Sequence, residues 1–179
     1  ISSGAPGSGQ YQLLTDLLKV HGMTRADVKE DLSSFTQAVD KIKDGNLHAT
    51  LITAGVPTSA VTDFAQSHAL KVIALTGPEI AELQKQQPDY ASVPLPANTY
   101  KGQAAAVPTL AVMAVWTTHD AVPDNVAYEV TKALYENVAI MGQVHAQGKN
   151  ISLTTALAVG TAPMHPGALK YFKEKGVAK

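Results

Sequence analysis

The sequence predicts an α/β lobe with a mainly parallel sheet, followed by a helical C-terminal tail. Up to about residue 118, apolar runs typical of strands alternate with amphipathic stretches typical of helices. Two glycine-rich loops, around Gly7 and Gly55, each follow such a run and precede a helix. This alternation is typical of parallel strands covered by helices on both faces. We therefore expect a lobe over 1–118 and a helical tail over 119–179.

Composition excludes several kinds of partner. The chain has 179 residues with 14 basic and 15 acidic side chains, so its charge does not favour nucleic acid or an anionic membrane. It has no cysteine, which excludes disulfides and thiolate metal sites. No apolar run approaches the ~20 residues of a membrane span. The six histidines are scattered without metal-ligand spacing, so neither a metal nor a cofactor is predicted.

Local signals mark the first two helices. Four leucines share one face of the first helix, which should end at Gly22. Ser34 and Gln37 have the spacing of a capping box before the second helix, which should end at Gly45. The leucines of the first helix are Leu13, Leu14, Leu17 and Leu18.

Further elements follow in alternation. Strands are predicted over 47–55, 70–75 and 109–118, because these runs are apolar and rich in β-branched residues. Helices are predicted over 56–69, with a proline near the first position, and over 77–87. The last strand is either the final strand of the sheet or a crossing between lobes.

The tail is predicted to be helical. A long helix should run from Pro123 to about Ala146, and a closing helix should end at Gly176. A short helix should begin at Ser152, and Trp116 is expected in the core. The long helix carries one apolar stripe, which should pack partly against another lobe and consists of Val126, Val130, Leu134, Val138 and Met141.

The two glycine loops are the candidate ligand site. Neither "GAPGSG" nor "TAGVPTS" contains an ionisable side chain, and Gln10 stands where a phosphate-binding P-loop requires lysine. In a parallel sheet both loops would emerge at the carboxyl edge, where open α/β sheets bind ligands. Backbone N–H groups of two helix starts, with the hydroxyls of Ser8 and Thr58, then favour a carboxylate or a polar neutral ligand.

Two other classes of function remain open on the residues alone. A hydrolase could use Ser8 as nucleophile with a distant His165 as base, although the G-x-S-x-G elbow is absent. Because serines before helices are common caps, we expect no enzyme and no catalytic residue. A regulatory ligand-binding domain fused to another module is the third alternative.

Several strings in this order resemble one family: "GAPGSG", "AGVPTSAVTDFA", "PANTYKGQ" before "VPTLAV", and "MHPGALKYFKEKGV". They are similar to the TAXI solute-binding proteins of TRAP transporters, periplasmic receptors of the type II binding-protein class. The resemblance spans essentially the whole chain but only the later part of the family's sequence, so most of a first lobe is expected before Ile1. It implies a periplasmic receptor, made with a signal peptide, that captures a small carboxylate or amino acid such as glutamate or 2-oxoglutarate. Delivery would be to the TRAP membrane permease.

The resemblance also implies the ligand residues. Gln10 stands where the family usually has threonine and Asn98 where it usually has glycine, which affects the identity of the ligand more than its binding. The only arginine is Arg25, after the first helix, so an arginine clamp would have to come from the other lobe or not exist. The implied ligand residues are Gly7, Ser8, Gly9, Gln10, Gly55, Val56, Pro57, Thr58 and Tyr100.

Overall fold

The computed structural model describes residues 1–158 and 162–178, which form a mixed α/β structure in two compact units, Ile1–Val112 and Met113–Lys179. The division lies slightly before the predicted boundary at 118, and the assignment of the units to a lobe and its tail stays a prediction. The described residues contain seven α-helices and a sheet of two strands. The helices are α1 (Gly9–Val20), α2 (Phe35–Lys43), α3 (Ser59–Ser67), α4 (Pro78–Gln86), α5 (Asp124–Glu136), α6 (Val138–Val144) and α7 (Pro166–Glu174), and the strands are β1 (Ala91–Leu95) and β2 (Val107–Ala111).

The amino-terminal residues lie at the centre of the first unit. Ser2 forms isolated parallel bridges with Asp31 on one side and with Thr50 on the other. The N–H of Leu51 donates to the Ser2 carbonyl at 3.1 Å, and the N–H of Ser3 donates to the Asp31 carbonyl at 3.0 Å. Both serines are fully buried. The segments around Ser2 and Thr50 run in the same direction. The two glycine loops that follow these segments therefore leave at the same edge.

The predicted mainly parallel sheet is not formed as a continuous ladder in the part of the chain that the structure describes. Its one ladder is antiparallel, between β1 and β2, and parallel pairing is limited to the bridges at Ser2. Pro94 and Pro108 face each other in the register of this ladder, and neither has an N–H to donate. The strand expected over 70–75 is not formed, and the N–H of Leu75 donates to the carbonyl of Pro108 at 3.0 Å.

Apolar packing between α1 and α4 provides the first core of this unit. Leu13 and Leu17 of α1 pack with Ile80 and Leu83 of α4. All four leucines that the periodicity placed on one face of α1 are buried, so that prediction is confirmed. A second core forms around α3, β1 and the segment after it, from Ala65, Leu95 and Tyr100.

The helix ends of the first unit follow the predicted signals with one difference. Gly22 and Gly45 have φ angles of 70° and 73° just after α1 and α2, the left-handed conformation that favours glycine. Ser34 donates its N–H and its hydroxyl to Gln37, at 3.1 and 3.0 Å. Pro57 lies before the N-cap of α3 instead of inside its first turn, because Thr58 takes the capping position.

The second unit is held by α5 packed against α7. An ideal Cβ at Gly167 would lie 2.1 Å from the carbonyl oxygen of Asp124, so only glycine allows this approach of the backbones. The single long helix predicted from Pro123 is divided into α5 and α6 at Asn137, whose Nδ2 donates to the Ala133 carbonyl at 2.8 Å. This side chain satisfies a carbonyl of the last turn and so ends α5.

Two predictions for the region after β2 are wrong. Trp116 is 73% exposed, because residues 112–118 form no strand that would bury one of their faces. The region from Ser152 forms turns up to residue 157 instead of a helix. In the apolar stripe, Val126, Val130 and Met141 are exposed.

Truncation of Leu83 should destabilise the first unit strongly. This side chain is 1% exposed between α1 and α4, and a buried Leu→Ala change typically costs about 2–5 kcal/mol of unfolding free energy. Ile73→Ala removes a side chain that is 67% exposed and should cost about 0.5 kcal/mol or less. Urea unfolding of both variants measures the difference, and equal losses would contradict this description of the core.

Asp31 should make the stability of the first unit sensitive to acid. Hydrogen bonds from Lys41 (Nζ to Oδ2, 2.6 Å) and from Ser33 (N–H to Oδ1, 2.9 Å) lower the pKa of Asp31 from 3.8 to about 2. A lowered folded-state pKa stabilises the fold above pH 3.8, and this contribution is lost as the pH falls towards 2. Unfolding midpoints should therefore fall less between pH 4.5 and pH 2.5 in Asp31→Asn than in the wild type. Asp63→Asn, at an exposed position of α3, is the control that should follow the wild type.

Candidate ligand-binding site

The first glycine loop ends in a capped helix start with unused donors. Ser8 is the N-cap of α1, and its Oγ accepts the N–H of Tyr11 at 3.2 Å. Gly7 has a φ of 82°, which favours glycine. The N–H groups of Gly9 and Gln10 donate to no atom of the described chain. Two free donors therefore lie at the positive end of the α1 dipole.

The side chain of Gln10 is turned into the interior. It is 3% exposed, and its Nε2 donates to the carbonyl of Leu51, just before the second glycine loop. An ideal Cβ at Gly4 would lie 2.7 Å from the Gln10 Oε1, so Gly4 leaves the space that this carboxamide occupies. The carboxamide thus ties the start of α1 to the segment that leads into the second loop. The backbone N–H of Gln10 remains without a partner in the described chain.

The second glycine loop has a similar helix start. Thr58 is the N-cap of α3, and its Oγ1 donates to the carbonyl of Gly55 at 2.8 Å, which closes the loop on itself. The Val56–Pro57 peptide bond within it is cis. The N–H groups of Ser59 and Ala60 donate to no atom of the described chain. The helix start therefore offers a second pair of free donors.

Tyr100 reaches the second loop from the Pro-rich segment between β1 and β2. Its hydroxyl accepts the N–H of Thr58 at 2.9 Å, and its side chain is 7% exposed among Val56, Val61 and Leu95. The structure thus brings Tyr100 together with the second loop. The first loop is linked to that loop through Gln10 and through the parallel pairing of Ser2 with Thr50.

The Pro-rich segment holds one further residue that sequence reasoning missed. Gln103 is 8% exposed, and its Nε2 donates to the carbonyls of Pro96 at 2.9 Å and Ala105 at 3.0 Å. One feature of the sequence could have indicated this role. The prolines of the segment have no N–H to donate, so its backbone carbonyls need a donor from a side chain. Asn98 has a φ of 61°, a left-handed conformation that favours glycine. This explains why the TAXI family, which the sequence resembles, usually has glycine at this position.

Arg25, the only arginine, is used within the fold. Its guanidinium lies 3.4 Å from the centroid of the Tyr11 ring and pairs with Glu30. It also donates to the carbonyl of Tyr11 at 2.6 Å and to the hydroxyl of Thr15 at 2.7 Å. This arginine is therefore a structural cross-link between α1 and the segment after it. Its guanidinium already has hydrogen-bond and ion-pair partners within the fold.

The hydrolase alternative gains no geometric support. Ser8 Oγ acts as a helix cap, and His165 lies in the other unit, where it caps α7. The His165 Nδ1 accepts the N–H of Gly167 at 3.2 Å, and Nε2 lies 3.0 Å from the carbonyl of Val122. Both ring nitrogens therefore have partners within the second unit.

The described parts of the chain, 1–158 and 162–178, contain no metal-binding cluster and no membrane-spanning helix. No group of three or more His, Asp or Glu side chains there could hold a metal ion. None of the helices found there is long and apolar enough to cross a bilayer. A surface depression of about 340 Å³ lies at the C-terminal end of α3, lined by Ser67, His68 and Lys101 among others, and includes none of the nine predicted ligand residues.

The chain matches a known protein family. The profile of the NMT1-like family matches residues 1–176. That family is periplasmic-binding-protein-like and is related to the solute receptors of TRAP transporters. The resemblance inferred from the strings quoted above is thereby confirmed at this wider level, and the family implies a small ligand. The narrower TAXI assignment stays a prediction.

A side chain at Gly4 should cost more than one at Gly22. Both glycines have a φ near 70°, so alanine at either position costs about 1–2 kcal/mol of unfolding free energy. At Gly22 a Cβ meets nothing, whereas at Gly4 it meets the Gln10 carboxamide and displaces it from Leu51, at about 1 kcal/mol more. Urea unfolding of Gly4→Ala and Gly22→Ala measures this difference. Equal losses would mean that Gln10 does not occupy the space above Gly4.

Proposed function

The chain belongs to the NMT1-like family, and from that premise we propose that it is the ligand-binding lobe of an extracytoplasmic solute receptor of the TAXI type. The receptor captures a small carboxylate or amino acid, such as glutamate or 2-oxoglutarate, and delivers it to a TRAP membrane permease. A first lobe closes over the ligand from the opposite side.

One observation carries this proposal. The starts of α1 and α3 follow parallel segments and emerge at one edge, and four of their backbone N–H groups have no partner among the described residues. Each helix N-terminus adds a partial positive charge to these donors. Two such ends beside loops without any ionisable side chain suit an anion that has to be bound and then released.

A carboxylate fits this site better than a phosphate. Phosphate sites usually recruit arginine or lysine for charge-assisted bonds. Here the single arginine is bound to Glu30 and Tyr11, and neither glycine loop contains a basic residue. Backbone donors alone match a carboxylate group, and the rest of the ligand would lie towards Tyr100 and the other lobe.

The proposed activity is binding without turnover. A nucleophilic serine needs a base within hydrogen-bond reach, and Ser8 Oγ instead accepts a backbone N–H as a helix cap. A nitrophenyl ester assay tests this directly: the wild type and Ser8→Ala should both show only the background rate. Hydrolysis lost in the variant would establish the hydrolase instead.

The ligand class is tested by titration calorimetry on the full chain. The panel is L-glutamate, 2-oxoglutarate and succinate, with inorganic phosphate and glucose as the contrasting ligands. We expect heat of binding from at least one of the carboxylates and none from phosphate or glucose. Tight binding of phosphate or of a sugar would contradict it.

Removal of the Ser8 cap should weaken the binding of the best carboxylate in that panel. Ser8→Ala loses the bond that fixes the first turn of α1, worth about 1 kcal/mol, so the Kd should rise about fivefold. Ser34→Ala removes the equivalent serine at the start of α2, outside both glycine loops, and should leave the Kd unchanged. Equal effects from both variants would mean that only general stability was altered.

A further inference from the structure

The Pro-rich segment between β1 and β2 contacts both ends of α3. At the start of α3 the Tyr100 hydroxyl accepts the N–H of Thr58 at 2.9 Å. At its end the Lys101 Nζ donates to the carbonyl of Gln66 at 3.0 Å. The ring of Tyr100 is buried beside Ala65 of the same helix. Through Tyr100 this segment therefore controls where the first turn of α3 lies.

Gln103 fixes the conformation of that segment. Its Oε1 accepts the N–H of Tyr100 at 3.4 Å, and its Nε2 donates to the carbonyls of Pro96 and Ala105. Its backbone carbonyl accepts the N–H of Asn98 at 2.8 Å. One buried side chain thus cross-links both ends of the loop to the residue that reaches α3. A buried network in which each member has its partners rigidifies the segment.

We propose that Gln103 is a positioning residue for the ligand site and acts through Tyr100 on the start of α3. The phenol oxygen of Tyr100 accepts the N–H of Thr58. The phenol proton itself has no acceptor in the described chain. It is therefore a further donor next to the free N–H groups of Ser59 and Ala60. Donors held in place before binding lose less freedom when the ligand arrives. This role rests on the proposed function, because the second loop has to be a ligand loop.

Hydrogen exchange of single amides in the full chain, followed by NMR, tests the positioning role. The readout is the exchange rate of the Thr58 amide relative to the Leu17 amide of α1, which corrects for global unfolding. Tyr100→Phe removes the acceptor and keeps the ring, so this rate should rise about tenfold. Gln103→Met should raise it similarly, and the double variant should raise it no further, because both act through the same bond.

A matched control lies on the same loop. Lys101→Met removes the contact with Gln66 and should leave the Thr58 rate unchanged. The proposal is overturned if Gln103→Met leaves the Thr58 rate unchanged or adds to the effect of Tyr100→Phe. It is also overturned if Gln103→Met and the milder Gln103→Asn both lose the fold or speed exchange of Thr58 and Leu17 equally, since Gln103 would then serve only general stability.

Calorimetry with L-glutamate on the same variants separates this role from the proposed function. Tyr100→Phe and Gln103→Met should weaken its binding by the same factor, and Lys101→Met should not. A wild type that binds none of L-glutamate, 2-oxoglutarate and succinate overturns the proposed function, whereas the exchange rates still decide whether Gln103 fixes the second loop. Binding that is unchanged in Gln103→Met, despite faster exchange of Thr58, would overturn the positioning role at the ligand site.

Discussion

The parallel pairing of Ser2 with Thr50 is the constraint on which the candidate site depends. Its hydrogen bonds are buried, and buried backbone groups that lose their partners are costly, so the direction of these two segments is strongly fixed. Because they run in the same direction, the helix starts that follow them emerge at one edge. Gln10 strengthens the link, since its buried carboxamide joins α1 to the carbonyl of Leu51.

The consequence is a candidate site in which the backbone supplies the positive charge. A helix N-terminus stabilises an anion by about 0.3–1 kcal/mol when exposed, and the free N–H groups add hydrogen bonds. These contributions to the binding free energy are small. Small contributions suit the proposed receptor, because it has to release its ligand. The sole arginine stacks on Tyr11 and pairs with Glu30, so its charge is used within the fold.

Local rules predicted the parts of the fold that depend on local interactions. The buried face of α1 and the glycines after α1 and α2 follow from periodicity and from left-handed backbone angles. Ser8 is the N-cap of α1, as its place before a helix indicated, whereas Thr58 takes the N-cap position of α3, where Pro57 was expected near the first helical position. The sheet, by contrast, depends on which distant segments pair, and apolar runs do not specify that. Trp116 was misplaced for this reason, because no strand forms there to bury it.

Within the site, the roles that could not be predicted are those of side chains with distant partners. Gln10 bonds a carbonyl 41 residues away and Tyr100 an N–H 42 residues away, separations that no local pattern encodes. The central claim is that both helix starts bind one ligand, and an NMR titration of the full chain with L-glutamate tests it most directly. We expect the amide signals of Gly9, Gln10, Ser59 and Ala60 to shift together along one binding curve. Shifts confined to one loop, or found only elsewhere in the chain, would contradict it.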